Sequence, residues 1–138
     1  QRQMCIETGV GHLLFTHYAS RLWDTSSGLC LRTLQHTDQA PVASVQFSPS
    51  SLQLLASSLD SAVRLWDIAN ARILKTYTSH KNTQYAGTGI LVFRPSRTCV
   101  ACGSEDRLVY VWDVQTKRVV CKLAAHRDAV ICVAVRMH

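Results

Sequence analysis

The tryptophans of this chain recur at a nearly fixed spacing, and each is followed by an aspartate. They occur in Leu22-Trp23-Asp24, Leu65-Trp66-Asp67 and Val111-Trp112-Asp113, and the sequence holds no other tryptophan. A histidine follows each of them after 13 or 14 residues, at positions 36, 80 and 126. Self-similarity at a period of about 40 to 45 residues indicates a fold built by stacking repeated supersecondary units.

The second of these units shows what a repeat contains. Between residues 42 and 77, four short runs rich in Val, Leu and Ile are separated by turn residues at 49–51, 60–61 and 70. Such runs, bounded by Ser, Pro, Asp and Asn, predict strands. Four strands and a Trp-Asp dipeptide per unit are typical of a β-propeller blade. The sequence therefore predicts an all-β partial β-propeller.

This prediction divides the chain into four parts. Residues 1–138 form a single propeller segment, with a partial blade at 1–34, complete four-stranded antiparallel blades at 35–77 and 78–123, and the start of a next blade at 124–138. Each blade buries its apolar face only against a neighbour. We therefore expect the missing blades to come from a longer chain or from oligomerisation.

An aspartate lies six residues before the second and third tryptophans, and a serine lies two residues before each aspartate. With the preceding histidines they predict two structural tetrads, namely His36, Ser58, Asp60 and Trp66 in one blade, and His80, Ser104, Asp106 and Trp112 in the next. Buried polar groups must be paired, and a paired network fixes strand register. A hydrolase triad needs an exposed serine and an oxyanion site, whereas these serines recur with the repeat, so no enzyme is predicted.

Composition excludes several other functions. At 138 residues and 47% hydrophobic content the chain can bury a core, and no stretch approaches the roughly 18 apolar residues of a membrane span. The net charge of +6 comes from scattered basic residues with no run of three, so a nucleic-acid partner is not expected. Cys99 and Cys102 have zinc-like spacing, but no matching second pair accompanies them. No metal or cofactor is predicted.

Three segments carry a closer resemblance to a known family. Residues 24–34, 74–82 and 103–117 resemble the WD-repeat subunit of histone H3 lysine-4 methyltransferase complexes, of the COMPASS type, over its C-terminal half. The resemblance implies a non-enzymatic scaffold that binds peptide segments of methyltransferase-complex subunits, with the histone H3 tail as a further candidate ligand. It also implies a nuclear location, with the cytoplasm as the default otherwise.

The resemblance further implies two peptide-binding sites. In the family's central channel, which holds an arginine between aromatic rings, Tyr18 and Ile131 match lining residues. In an outer cleft between two blades Leu65, Phe93 and Gln115 match, while Ser50 replaces an asparagine. The chain departs from the family after Tyr85, where residues 86–90 read Ala-Gly-Thr-Gly-Ile in place of the ring that clamps the guanidinium.

Two alternatives remain beside the methyltransferase-type scaffold. The altered segment at 86–90 is also consistent with a truncated or diverged paralogue that has lost arginine-peptide binding. A WD-repeat adaptor of another complex, such as a ubiquitin ligase, would share the same repeat chemistry. Binding of an arginine-containing peptide would distinguish the methyltransferase-type scaffold from the first alternative. Identification of its protein partners would distinguish it from the second.

Overall fold

A computed structural model describes residues 4–8, 19–36, 41–85, 87–93, 96–124 and 126–134, and all regular elements in these ranges are β-strands. The strands are β1 (Met4–Thr8), β2 (Ala19–Asp24), β3 (Cys30–Gln35), β4 (Val42–Phe47), β5 (Gln53–Ser58), β6 (Ala62–Asp67), β7 (Arg72–Tyr77), β8 (Gly89–Phe93), β9 (Thr98–Gly103), β10 (Val109–Asp113) and β11 (Val119–Leu123). The all-β prediction is confirmed.

The strands form three antiparallel sheets. The first has the order β1-β2-β3, the second β4-β5-β6-β7 and the third β8-β9-β10-β11. Every strand pairs with the one that follows it within its sheet, as in the meander of a propeller blade. Two complete four-stranded units are therefore present, as the repeat predicts.

The aspartate of each Trp-Asp dipeptide caps the hairpin that follows it. Asp24 accepts hydrogen bonds from the backbone and side chain of Ser26, and Asp67 accepts from the backbone N–H of Ala69. Asp113 accepts from the N–H groups of Gln115 and Thr116 in the third sheet. Carboxylates that bond the backbone two residues on favour a turn, which explains why the dipeptide recurs at the end of each tryptophan-bearing strand.

The core lies between the sheets rather than within one of them. Alternate residues of a strand point to opposite faces, so each sheet offers one face to each neighbour. One buried cluster joins the first and second sheets and contains Leu22, Leu34, Val42, Leu54, Ala56, Trp66 and Ile68. A second cluster joins the second and third sheets and contains Leu55, Val63, Leu65, Tyr77, Val100, Cys102, Tyr110, Trp112 and Val114.

Side chains of the second sheet also hydrogen-bond to the backbone of the third. The carboxamide oxygen of Gln46 accepts from the N–H of Leu91 at 3.0 Å, and the hydroxyl of Tyr77 donates to the carbonyl oxygen of Val114 at 2.9 Å. The hydroxyl of Ser57 donates to the carbonyl oxygen of Gly87 at 2.6 Å. These bonds fix the position of one blade against the next in a way that apolar contact alone cannot, because hydrogen bonds are directional.

Residues 126–134 form no strand, although the sequence predicts the first strand of a further blade there. The N–H of Val130 donates to the carbonyl oxygen of Ser104 at 2.9 Å, and the carbonyl oxygen of Ile131 accepts from Thr88 at 3.2 Å. A regular strand needs a ladder of such bonds to a partner strand, and these two bonds reach two different segments of the third unit. In the described ranges, no helix is long and apolar enough to cross a membrane.

Candidate functional site

The second sheet places its predicted tetrad residues near one another, but their hydrogen bonds differ from the predicted network. His36 is buried, and its ring centre lies 4.9 Å from that of Trp66. Its Nε2 atom lies 2.8 Å from the hydroxyl of Ser20, which belongs to the first sheet. Ser58 instead donates to Asp60 at 2.6 Å. The histidine therefore joins two blades rather than closing a network within one.

The third sheet shows a related arrangement. The ring of His80 lies edge-on to that of Trp112, with centres 5.1 Å apart. The indole N–H of Trp112 donates to the carbonyl oxygen of Thr78 at 2.8 Å, and the hydroxyl of Ser104 accepts from the N–H of Lys81 at 2.9 Å. Tryptophan and serine thus hold the backbone on either side of the histidine, whose ring packs against those of Trp112 and Tyr110.

Both tetrad aspartates bond to a residue that the sequence analysis did not single out. Asp60 forms an ion pair with Arg64, and Asp106 accepts a hydrogen bond from the hydroxyl of Tyr110. Arg64 and Tyr110 each lie two residues before a tryptophan, on the same face of the strand. This shared position in the repeat was the sequence signal from which the partner of each aspartate could have been predicted.

Burial governs the charge state of the two histidines. Burial lowers the pKa of His36 to about 4, and the positive charge of Arg64 acts in the same direction. Burial likewise lowers the pKa of His80 to about 4, although the carboxylates of Asp106 and Asp60 oppose the shift. Both imidazoles are therefore neutral at pH 7, as suits structural groups in a blade interface.

A cleft of about 370 Å³ opens between the second and third sheets. Its lining consists of Ser48, Gln53, Leu65, Leu74, Lys75, Leu91, Thr98, Val114 and Gln115. Leu65 is buried, and Leu74 lies at the exposed rim. Apolar walls with a few polar groups around them are characteristic of ligand-binding clefts.

The polar rim of the cleft is dominated by one cation. The Nζ atom of Lys75 donates to the carbonyl oxygen of Gln115 at 3.2 Å and so links the second sheet to the third across the cleft. The carboxamides of Gln53 and Gln115 lie in the same lining. Because the lining contains no carboxylate, this rim favours a ligand that carries negative charge or hydrogen-bond acceptors.

Only some of the site residues implied by the resemblance lie at this cleft. Leu65 and Gln115 line it, whereas Ser50 is exposed in the turn after β4, where its hydroxyl lies 3.1 Å from that of Ser48. The side chain of Phe93 lies outside the described residues. Leu74, Lys75 and Leu91 line the cleft without having been singled out from the sequence.

Of the two residues assigned to the central channel, the structure describes only Ile131. Tyr18 lies outside the described residues, and Ile131 is exposed. The described residues hold no group of three or more His, Cys, Asp or Glu that could bind a metal ion. Cys99 and Cys102 are buried free thiols, and burial raises the pKa of Cys102 to about 12.

The repeat that builds these sheets is matched by a known family. The family described as WD domain, G-beta repeat, matches residues 28–67 and 71–113, which together make up more than half of the chain. The chain belongs to the WD40-repeat family. WD40 repeats typically form non-enzymatic scaffolds that bind protein partners.

The relatives of this WD40-repeat protein include proteins of different kinds. The chain is 31% identical over 64 residues to the COMPASS component SWD3 of Saccharomyces cerevisiae, a match that covers 41% of the chain and 20% of that protein. It is 50% identical over 50 residues to the nuclear distribution protein PAC1 of Arthroderma benhamiae, covering 36% and 10%. It is 39% identical over 64 residues to the U5 small nuclear ribonucleoprotein 40 kDa protein of Dictyostelium discoideum, covering 46% and 18%. Each match spans a fifth or less of the relative.

Proposed function

We propose that this chain is a non-enzymatic interaction scaffold and that it binds peptide segments of partner proteins in the cleft between the second and third sheets. The observation that carries the proposal is the cleft itself, in which Leu65, Leu91 and Val114 provide apolar surface and Lys75 provides a positive rim. Hydrogen bonds of Gln46 and Tyr77 join the two sheets on either side of the cleft. A preformed site of this kind binds without a large ordering cost.

The lining defines the chemistry of the peptide. An apolar side chain would enter between Leu65 and Leu91, and an adjacent Asp or Glu would reach Lys75. The carboxamides of Gln53 and Gln115 would bond to the peptide backbone. The proposed ligand is therefore an extended acidic and hydrophobic segment.

The proposed complex is of the histone H3 lysine methyltransferase type, in the nucleus. Its support is the resemblance of residues 103–117 together with the similarity to the yeast COMPASS component. A second candidate is an adaptor in another assembly, supported by the similarity to the U5 ribonucleoprotein protein. Affinity purification with mass spectrometry separates the two, because methyltransferase-complex subunits should be recovered only in the first case.

Calorimetry with an acidic-hydrophobic peptide tests the cleft. We expect binding in roughly the micromolar range that is weakened at least about tenfold by Leu74→Asp or Lys75→Glu, a loss equivalent to about 1.4 kcal/mol. Ile73→Asp is the matched control, because Ile73 is the exposed neighbour of Leu74 on β7 and lies outside the cleft lining. Equal weakening by the Ile73 and Leu74 variants would show that the peptide binds elsewhere.

The central channel serves as the competing site in the same experiment. Because residues 86–90 lack the aromatic clamp, an arginine-centred peptide should bind more weakly than the acidic-hydrophobic one. Tight binding of the arginine peptide alone, insensitive to Lys75→Glu, would overturn the assignment of the cleft. It would also favour the histone-tail type of ligand over the proposed one.

A further inference from the structure

The last strand of each sheet carries a β-bulge at the same position of the repeat. In the second sheet the pairing register shifts beside Trp66, and Leu74 is the extra residue on β7. The same shift beside the other two tryptophans makes Leu31 the extra residue on β3 and Val120 the extra residue on β11. A bulge re-aims the side chains next to it, so each repeat re-aims an apolar residue.

The bulge explains how Leu74 and Lys75 can both line the cleft. Successive residues of a regular strand point to opposite faces, yet these two neighbours lie in the same lining. The extra residue therefore brings an apolar side chain to the face that carries the cation. The first sheet repeats this arrangement, because its bulge residue Leu31 is followed by Arg32.

Arg32 lies on the face of the first sheet that packs on the second. Leu34 comes two residues later on the same strand and shares that face, and it packs in the cluster that joins the first and second sheets. Tyr77 has the same relation to Lys75 and packs in the cluster that joins the second and third sheets. The bulge of the first sheet thus lies beside the second sheet, as the bulge of the second lies beside the third.

The second sheet supplies the other side of this boundary. In the third sheet the N–H of Val114 donates to the carbonyl oxygen of Thr98 at 3.1 Å, and in the second sheet the N–H of Ile68 donates to that of Leu52 at 3.2 Å. Leu52 therefore occupies the position that Thr98 has in the cleft. Because Leu52 is 67% exposed, a rim position that is polar in the cleft is apolar here.

A carboxamide of the cleft is replaced as well. Gln115 and Ala69 each donate their N–H to the aspartate of the preceding Trp-Asp dipeptide, so they are equivalent. The boundary of the first and second sheets therefore has a methyl group where the cleft has a carboxamide. We call this surface the seam, and it consists of Leu31, Arg32, Leu52, Ile68 and Ala69.

We propose that the seam is a second docking site for an extended peptide segment, one that carries an acidic residue and two apolar residues. This inference rests on the proposed binding of a peptide in the cleft, because the seam is the repeat equivalent of the cleft. The exposed guanidinium of Arg32 binds the carboxylate, and Leu31 and Leu52 provide the apolar surface. With Leu52 and Ala69 in place of polar residues, the seam gains more than the cleft from a second apolar side chain.

Calorimetry with two synthetic peptides separates the seam from the cleft. One peptide has a single leucine beside a glutamate, and the other has two leucines and a glutamate. In the Lys75→Glu chain, whose cleft is disabled, the two-leucine peptide should still bind in roughly the micromolar range. The one-leucine peptide should bind that chain at least about tenfold more weakly, because it leaves Leu52 exposed.

Charge reversal at the seam is the decisive variant. Adding Arg32→Glu to the Lys75→Glu chain should weaken binding of the two-leucine peptide at least about tenfold. Thr33→Glu in the same chain is the matched control, because Thr33 is the exposed neighbour of Arg32 and points to the opposite face. Leu74→Asp disables the cleft in a second way and should give the same results as Lys75→Glu.

Leu52→Thr tests the apolar part of the seam. It gives the seam the residue that the cleft has, and it should lower the affinity for the two-leucine peptide roughly threefold or more in the Lys75→Glu chain. Binding of the one-leucine peptide in a chain that keeps Lys75 should not change. Circular dichroism should show retained strands, since Leu52 is exposed.

Amide shifts of the ¹⁵N-labelled chain locate the peptide independently. In the Lys75→Glu chain the two-leucine peptide should shift the amide signals of Leu31, Arg32 and Leu52 and leave that of Leu91 unchanged. Absence of binding by this chain, or binding that Arg32→Glu does not weaken, would overturn the proposal. The proposed function fails separately, when affinity for the one-leucine peptide is insensitive to Lys75→Glu.

Discussion

Asp60 and Arg64 form an ion pair across the turn between β5 and β6, with the Oδ2 and Nη2 atoms 2.6 Å apart. The equivalent positions in the third sheet hold Asp106 and Tyr110, which are joined by a hydrogen bond. In both complete blades the aspartate six residues before the tryptophan therefore bonds to the residue two before it. The turn is therefore bonded to the tryptophan-bearing strand at an equivalent position in both blades, by an ion pair in the second sheet and by a hydrogen bond from tyrosine in the third.

Replacing Asp60 by Ala should destabilise the fold, because it leaves the positive charge of Arg64 without its carboxylate partner. The side chain of Arg64 is only 12% exposed, so its guanidinium would lose its main partner in a poorly solvated place. Since Asp60 itself keeps some contact with water, the expected loss of unfolding free energy is about 1 to 2 kcal/mol. Urea denaturation of the variant and the unaltered chain measures it.

The matched control for this prediction is Asp67→Ala. Asp67 faces Arg72 at 3.7 Å, and the Arg72 side chain is 68% exposed, so Asp67→Ala leaves no buried charge unpaired. It removes only the capping bonds of the β6–β7 turn, and the loss should therefore be smaller than for Asp60→Ala. Adding Arg64→Met to Asp60→Ala should recover part of the stability, because it removes the unpaired charge. Equal losses for the two aspartate variants would contradict the role given to the Asp60–Arg64 pair.

Gly103→Ala should displace the segment around Val130. A β-carbon at position 103 would lie 2.3 Å from the carbonyl oxygen of Val130 and 2.7 Å from its Cγ1 atom, so the segment must move. The expected cost is about 1 to 3 kcal/mol. Hydrogen exchange should also show faster exchange of the Val130 amide, whose bond to Ser104 would be disturbed.

Gly28→Ala separates this steric effect from backbone strain. Gly28 has a φ of +72°, and a β-carbon there would meet nothing within 4 Å, so only the conformational cost of about 1 kcal/mol applies. The exchange of the Val130 amide should be unchanged in this variant. Unaltered Val130 exchange in Gly103→Ala would disprove the close packing of residues 103 and 130.

Acid should weaken the fold between about pH 6.5 and pH 4. Burial lowers the pKa of His36 and His80 to about 4 in the folded chain from 6.5 in the unfolded chain, so the unfolded chain binds more protons in this window. The stability contributed by the neutral imidazoles is complete above the unfolded value and is lost as the pH falls. The expected loss is on the order of 1 to 3 kcal/mol per histidine, measured by urea titrations at several pH values.

A histidine variant tests which side chains cause this pH dependence of stability. His80→Gln should flatten the dependence by about half, because it removes one of the two buried imidazoles whose pKa is lowered. Asp60 contributes below this window, because hydrogen bonds from Arg64 and Ser58 outweigh the effect of its burial and keep its pKa below the usual 3.8. A slope unaffected by His80→Gln would show that another group titrates.

The repeat allowed the fold to be predicted closely. The Trp-Asp spacing and the four apolar runs per unit gave an all-β chain with two complete antiparallel sheets, and the sheets β4–β7 and β8–β11 agree. The prediction of a strand after residue 124 differs from the structure, in which residues 126–134 bond singly to Thr88 and Ser104. A strand pattern states which residues can pair, but pairing also requires an available partner strand.

The residues of the cleft and the contacts of the histidines were harder to predict from the sequence than the fold. Leu65 and Gln115 were singled out by resemblance and do line the cleft, but Leu74 and Lys75 come from β7 and Leu91 comes from β8 in the next sheet. The bond between His36 and Ser20 joins two repeats, whereas the spacing rule considers one repeat at a time.

Sequence alone determined the local structure of this protein, because strand propensity, turn residues and the capping aspartates act over a few neighbouring residues. Tertiary structure alone decided which polar groups meet, as the bond between His36 and Ser20 of the preceding repeat shows. The physical reason is that a side chain's partners and burial depend on the neighbouring sheet, and the order of residues within its own repeat does not specify how that sheet packs.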